Sequence, residues 1–154
     1  MAPHPGGREV APLALVVSAG GMLGALGRLS LDTAIPRADV MSWPWATFAV
    51  NISGSLLLGF LLVLLLARFG ESPSTRAGRW ARPFLVTGVL GGFTTFSAVS
   101  SQVRELLATS TTLALAYAVG SVLCCVLAVA LGSALAHRIV GATSAPTMSV
   151  LDES

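Results

Sequence analysis

The chain has 154 residues, of which 54% are hydrophobic and only 10% are charged. Soluble domains usually carry about 25% charged residues, so this composition predicts an integral membrane protein. At roughly 20 residues per span, the length allows about four membrane-spanning helices and no separate soluble domain. The net charge of +2 is too small to indicate nucleic-acid binding.

Long apolar segments predict four spans between two polar tails. Residues 1–10 are rich in proline and glycine and are expected to form a disordered tail, and residues 139–154 are expected to form a polar tail. Residues 11–138 are expected to form one four-helix transmembrane domain. The four predicted spans are 11–34, 45–68, 82–108 and 111–137.

The third span contains a stretch that is unfavourable for a continuous helix. Gly88–Ser97 reads GVLGGFTTFS, with two adjacent glycines followed by two adjacent β-branched threonines. The pattern predicts a helix that is broken in the middle of the membrane. Such a break frees backbone carbonyls in a region of low dielectric, where they can hold a hard cation. A simple packing kink is the alternative interpretation.

The arginines predict the orientation of the spans. All nine basic residues are arginine. An even number of spans places both termini and the 69–83 loop on one side, and that side carries six arginines. The positive-inside rule therefore places the termini and this loop in the cytoplasm. The six are Arg8, Arg68, Arg76, Arg79, Arg82 and Arg138.

Charged and reactive side chains are scarce inside the predicted spans. Spans two and four carry no interior aspartate, glutamate or lysine, which disfavours a small proton-coupled multidrug transporter. No nucleophile–base pair, phosphate-binding loop or metal-ligand spacing is present, so we expect no enzyme. The adjacent Cys124 and Cys125 are interpreted as small packing residues. Asn51 lies mid-span, where an amide needs partners, so a pathway role and an interface role are both open.

Three segments resemble the small bacterial fluoride channels of the Fluc or CrcB family. GGMLGALGRL at Gly20–Leu29 is similar to the family's GGxxGAxxRY, and WATFAVNISGSLLLG at Trp45–Gly59 to its GTxxVNxxGxFxxG. GVLGGFTTFS at Gly88–Ser97 is similar to GxxGGxTTFSTF and is the most specific of the three. The segments occur in the family's order, and the resemblance covers nearly the whole chain.

The resemblance implies a fold and an activity. Family members are four-helix subunits that pair antiparallel in the plasma membrane, with two narrow pores through which fluoride leaves the cell passively. Their broken third helix binds a structural Na⁺ that is not transported, through backbone carbonyls that correspond here to Gly91 and Thr94. The expected partners are therefore fluoride, membrane lipid and a second subunit.

The resemblance also implies residues of the fluoride pathway. The family's pore asparagine corresponds to Asn51, whose amide can donate to an anion, and the first of two pore phenylalanines corresponds to Phe96. Thr95 and Ser97 flank this ring and could supply hydroxyls. Arg28 corresponds to the arginine of the first motif, which implies a role in a vestibule or at the subunit interface.

The sequence departs from the family pattern after Ser97. Ala98 replaces a threonine, Val99 replaces the second pore phenylalanine, and Gln102 stands where a glutamate is common. A chain with part of the set could complete its pores with a paralogous subunit that supplies the rest. The hypothesis is therefore a heterodimeric channel, and a homodimer with altered conduction is the alternative. A non-conducting accessory membrane subunit is a further alternative.

Overall fold

The computed structural model describes residues 7–37, 39, 42–71 and 75–143. Within these ranges the chain is helical apart from short connections, and it forms no β-strand. Four segments are long and apolar enough to cross a membrane, which confirms the predicted all-helical architecture with four spans. These segments are Val10–Ala34, Trp45–Phe69, Arg76–Leu107 and Thr111–Ala142.

The helices extend slightly beyond the predicted spans at both ends of the chain. The first helix begins inside the predicted 1–10 tail, because arginine, glutamate and alanine favour helix there. The last helix continues into the predicted 139–154 tail, because Ile139 and Val140 prolong the apolar run. The rest of both tails, 1–6 and 144–154, lies outside the described residues. The helices are α1 Gly7–Ala34, α2 Trp45–Phe69, α3 Arg76–Arg82, α4 Gly91–Phe93, α5 Phe96–Leu107 and α6 Thr111–Thr143, with a π-helical segment Pro83–Leu90 between α3 and α4.

The third span is irregular over most of its length. The π-helical segment begins at Pro83, which has no N–H to bond the carbonyl four residues earlier, so an α-helical ladder is weakened there. Helix resumes over α4, and Thr94 and Thr95 then take extended backbone angles before α5 starts at Phe96. The sequence does not predict the π-helical geometry, since it depends on how the segment packs.

Glycines allow α1 to lie against the π-helical segment with the two backbones in contact. A Cβ atom built on Gly20 would lie 2.5 Å from the carbonyl oxygen of Phe84, and one built on Gly88 would lie 2.9 Å from the Cα atom of Gly20. Neither position can hold a larger side chain without moving a backbone. Close approach through small residues is a main source of helix association in lipid, where burial of apolar surface gives little driving force.

The second half of the third span has a different neighbour. α1 packs along the π-helical segment and α4, whereas α5 packs on α6, which itself lies along α2. A core cluster under α5 contains Val99, Leu106, Ala114 and Tyr117. The third span therefore changes its packing partner from α1 to α6 at Thr94 and Thr95.

Candidate functional site

An open groove of about 460 Å³ passes the irregular part of the third span. Its walls come from α2, the π-helical segment, the residues up to the start of α5, and α6. All of its lining side chains are uncharged, and five of them were predicted as site residues from the sequence. These five are Asn51, Gly91, Thr94, Thr95 and Phe96.

The two threonines between α4 and α5 have separate local partners. Thr94 directs both its N–H and its hydroxyl to the carbonyl oxygen of Leu90, at 3.0 and 2.9 Å. The Thr95 hydroxyl oxygen accepts the N–H of Ala98 at 3.2 Å, which caps the N-terminus of α5. The same hydroxyl lies 3.2 Å from the Oγ of Ser97. These contacts define both ends of the interruption.

Asn51 on α2 pairs with the backbone of Thr95. Its Nδ2 donates to the Thr95 carbonyl oxygen at 2.9 Å, and its Oδ1 accepts the Thr95 N–H at 2.8 Å. Asn51 is buried, with 9% of its surface exposed. The Asn51 amide therefore satisfies the N–H and the carbonyl of Thr95, as a backbone peptide group does in a regular helix or sheet. The second N–H of Nδ2 takes no part in this pair.

Two backbone N–H groups are diverted from the two carbonyls that the resemblance assigns to a cation, one by Asn51 and one by the Thr95 hydroxyl. In a continuous α-helix the N–H of Thr95 would bond the Gly91 carbonyl, and the N–H of Ala98 would bond the Thr94 carbonyl. Here both N–H groups donate to side-chain oxygens instead. Neutral carbonyl oxygens suit a hard cation such as Na⁺, so the donor set at Gly91 and Thr94 fits the expected ion.

Phe96 and Val99 occupy different surroundings, although both line the groove. Phe96 is 78% exposed, so most of its surface is not covered by the rest of the described chain. Val99 is 8% exposed and packs in the cluster with Leu106, Ala114 and Tyr117. Ser97 is exposed and contacts Thr95, but it is not among the residues that line the groove.

Sequence reasoning missed a polar bridge between three helices. The hydroxyl of Tyr117 on α6 donates to Oε1 of Gln102 on α5 at 2.7 Å. Nε2 of Gln102 donates to the hydroxyl oxygen of Thr47 on α2 at 2.8 Å. The only sequence signals were an amide at a position where the family often has glutamate and a tyrosine in the fourth span. The link to Thr47 had no signal, because the two residues lie 55 positions apart.

Arg28 and Arg37 are separated from the groove. The Nε atom of Arg28 is buried and has no hydrogen-bond partner among the described residues, and Arg28 does not line the groove. Arg37 forms an ion pair with Glu105 at 2.7 Å and donates to the Ser42 carbonyl. This ion pair joins the α1–α2 connection to the end of α5, so both lie at the same end of the bundle.

Comparison with known proteins decides the family. Residues 15–133 match the family model described as CrcB-like protein, Camphor Resistance (CrcB). The chain belongs to the CrcB family. The match includes parts of the first and fourth spans and the whole of the second and third, and it confirms the resemblance seen in the three sequence segments.

Curated relatives in the CrcB family carry a common name. The protein called fluoride-specific ion channel FluC of Rhizobium meliloti (strain 1021) is 42% identical over 127 residues, which cover 82% of this chain and 97% of that protein. The FluC of Hyphomonas neptunium is 44% identical over 126 residues, with 81% and 95% covered. FluC 2 of Nocardia farcinica is 40% identical over 129 residues, with 83% and 87% covered. Like the family, this chain is a multi-pass membrane protein.

Proposed function

We propose that this chain is a subunit of a passive, fluoride-selective channel that exports fluoride from the cytoplasm across the plasma membrane and so lowers its toxicity. Membership of the CrcB family and the printed names of the relatives support this proposal. The groove supports passive conduction, since no ionisable acid, histidine or basic side chain lines it. Export of an anion then follows the membrane potential, at about 2.3 kcal/mol per charge per 100 mV.

The observation that carries the proposal is the diversion of two N–H groups away from the Gly91 and Thr94 carbonyls. These carbonyls would hold a structural Na⁺ that is not transported. The ion would join this chain to a second subunit that offers the same pair of carbonyls. Within this chain, Asn51 and the Thr95 hydroxyl keep the carbonyls available by accepting the N–H groups that would otherwise close the helix.

The proposed anion pathway uses the neutral groups at the groove. The unused N–H of Asn51 and the hydroxyls of Thr95 and Ser97 would replace water around fluoride. The exposed ring of Phe96 would present its electropositive edge. Arg28, whose Nε has no partner in the described part of the chain, would contribute positive potential at a vestibule or at the subunit interface.

An antiparallel dimer would close the open side of the groove. The ring of Phe96 is exposed in this chain, and a partner subunit would cover it. The buried position of Val99, where the family has a second pore phenylalanine, supports a paralogous partner that supplies the missing ring. The bias of arginine towards one side supports a single preferred orientation, which suits a heterodimer better than self-pairing.

Fluoride efflux from liposomes that hold the purified chain in Na⁺ medium tests the proposal. Rapid efflux that excludes chloride would establish a self-sufficient homodimeric channel and refute the heterodimer. Efflux that appears only after co-reconstitution with a family member carrying the full TTFSTF motif, and that exceeds the efflux of that member alone, would establish the heterodimer. Absence of efflux from folded protein in both settings would refute the channel proposal. Replacing Na⁺ with a large organic cation should weaken the dimer if the cation is structural.

A further inference from the structure

A second chamber adjoins the groove where the second and third spans are connected. It has a volume of about 350 Å³, and its walls come from α2, α3 and the π-helical segment. Val86 lines both the groove and this chamber, so the two spaces meet at its side chain. On α2, Leu58 lines the groove and Leu62 lines the chamber, and residues four positions apart share one face of a helix. The chamber therefore continues the groove towards one end of the bundle.

Two arginines give the chamber its charge. Arg79 and Arg82 both line it, and they lie three positions apart on one face of α3. Among the described residues, the others that line the chamber are uncharged. Nη1 of Arg82 donates to the backbone carbonyl of Glu71 at 3.4 Å, a neutral acceptor that leaves the guanidinium charge in place. An uncharged groove thus ends beside two positive charges.

The fold of α3 fixes the position of the two arginines. The Thr75 hydroxyl oxygen accepts the N–H of Gly78 at 3.2 Å and so caps the helix. Gly78 is buried, and α3 packs against the π-helical segment and α2. Arg79 and Arg82 are therefore held beside the chamber by a packed helix rather than by a loose loop.

We propose that Arg79 and Arg82 form the mouth that captures fluoride at the end of the pathway where export begins. This inference rests on the proposed function. The arginine bias predicts that the 69–83 loop lies in the cytoplasm, which is the side that fluoride leaves. A cleft lined by one sign of charge raises the entry rate of the opposite ion by about 10–10³-fold. Arg28 lies towards the other end of α1, so it acts at the opposite end of the bundle.

The position of the charges separates capture from selection. Conduction requires that an ion enter readily and still leave, so a charge suits the wide mouth better than the narrow part of the pathway. A guanidinium attracts any small anion, whereas the neutral groups at Asn51 and Thr95 would choose among anions. Loss of the two arginines should therefore lower the rate of fluoride passage without changing the preference for fluoride over chloride.

Arg76 provides a matched control, because it lies on the same short helix but does not line the chamber. Single-channel fluoride currents would be measured in planar bilayers with Na⁺ present, and with the family partner present if conduction requires it. At an ionic strength of about 0.1 M, we expect Arg79→Gln and Arg82→Gln each to lower the conductance about twofold, and the double variant about fourfold. Arg76→Gln and the charge-preserving Arg79→Lys should lower it by less than about 1.3-fold.

The salt dependence shows whether these losses are electrostatic. At an ionic strength of about 1 M, where the Debye length is about 3 Å, the losses should shrink below about 1.3-fold. Losses that persist at this ionic strength, an equal loss in Arg76→Gln, or a changed preference for fluoride over chloride would overturn the proposal.

A second readout does not depend on conduction. Thr87 is exposed and lines the chamber, so Thr87→Cys, in a chain with both native cysteines changed to serine, places a single thiol there. Its reaction rates with an anionic and a cationic methanethiosulfonate reagent are compared. The anionic-to-cationic ratio should fall at least about fourfold when Arg79 and Arg82 become glutamine, and should stay unchanged in Arg76→Gln.

The two readouts together distinguish failure of this proposal from failure of the channel proposal. A reagent ratio that does not fall would refute the charged mouth. A ratio that falls while the fluoride conductance stays unchanged would refute capture. A ratio that falls in a protein that conducts no fluoride, even with the family partner, would refute the channel proposal and establish only the positive potential of the chamber.

Discussion

Replacement of Asn51 by alanine should destabilise the junction between α4 and α5. The substitution removes both hydrogen bonds to the Thr95 backbone, of 2.8 and 2.9 Å. Alanine offers no polar group, so the Thr95 N–H and carbonyl lose their partners on α2. The N–H of Thr95 could then return to the Gly91 carbonyl, and the interruption would tend to close into helix.

The expected loss of stability follows from two limits. Side-chain hydrogen bonds between helices in lipid contribute about 0.6 kcal/mol each on average, so two of them set a lower limit of about 1 kcal/mol. Two buried backbone groups left unpaired would cost about 2–6 kcal/mol in total. Thr95 is only partly buried and borders the open groove, where water can reach it. We therefore expect Asn51→Ala to lose about 2–3 kcal/mol of unfolding free energy.

Unfolding in mixed micelles of detergent and increasing dodecyl sulfate, followed by fluorescence of the three tryptophans, would measure this loss. Ser53→Ala on the same helix is the matched control, because the Ser53 hydroxyl bonds, among the described residues, only carbonyls of its own helix, at Ala49 and Val50. We expect the control to change stability by less than about 0.5 kcal/mol. Equal unfolding free energies for the two variants would refute the structural role assigned to Asn51.

Two further predictions concern close packing and the polar bridge. Gly24→Ala should sharply reduce the yield of folded protein in detergent, because its Cβ would overlap a backbone carbonyl of the π-helical segment, whereas Gly21→Ala, with 4.0 Å of clearance, should fold normally. Gln102→Leu should lower the unfolding free energy by about 1–3 kcal/mol, because it removes the hydrogen bonds to Tyr117 and Thr47. Gln102→Glu keeps an acceptor for Tyr117 and should lower it by less than about 1 kcal/mol. Equal losses for the two variants would contradict the bridge.

The four spans could be predicted from the sequence because each depends on a local run of apolar residues. The position of the irregular segment was also indicated locally, by two glycines beside Thr94 and Thr95. The partner of Asn51 was not predictable, since Thr95 lies 44 positions away and only the packing of α2 brings the two together. For this reason the sequence left a pathway role and an interface role open for Asn51, and it did not indicate that the amide pairs with the backbone of the third span.

The packing partners of the third span explain why its interruption lies where it does. Its first half is fixed against α1 by contacts between backbones at Gly20, Gly24 and Gly88, and its second half is fixed on α6 by the Gln102 bridge and the core under α5. Burial of apolar surface contributes little to helix association in lipid, so these two sets of contacts determine the course of the chain. A continuous helix would have to make both sets of contacts, with α1 and with α6, along a single straight axis. The Asn51 amide allows the axis to break by supplying the hydrogen bonds that Thr95 gives up. Substitutions in α1 should therefore alter the position of the Gly91 carbonyl, although no residue of α1 lines the groove.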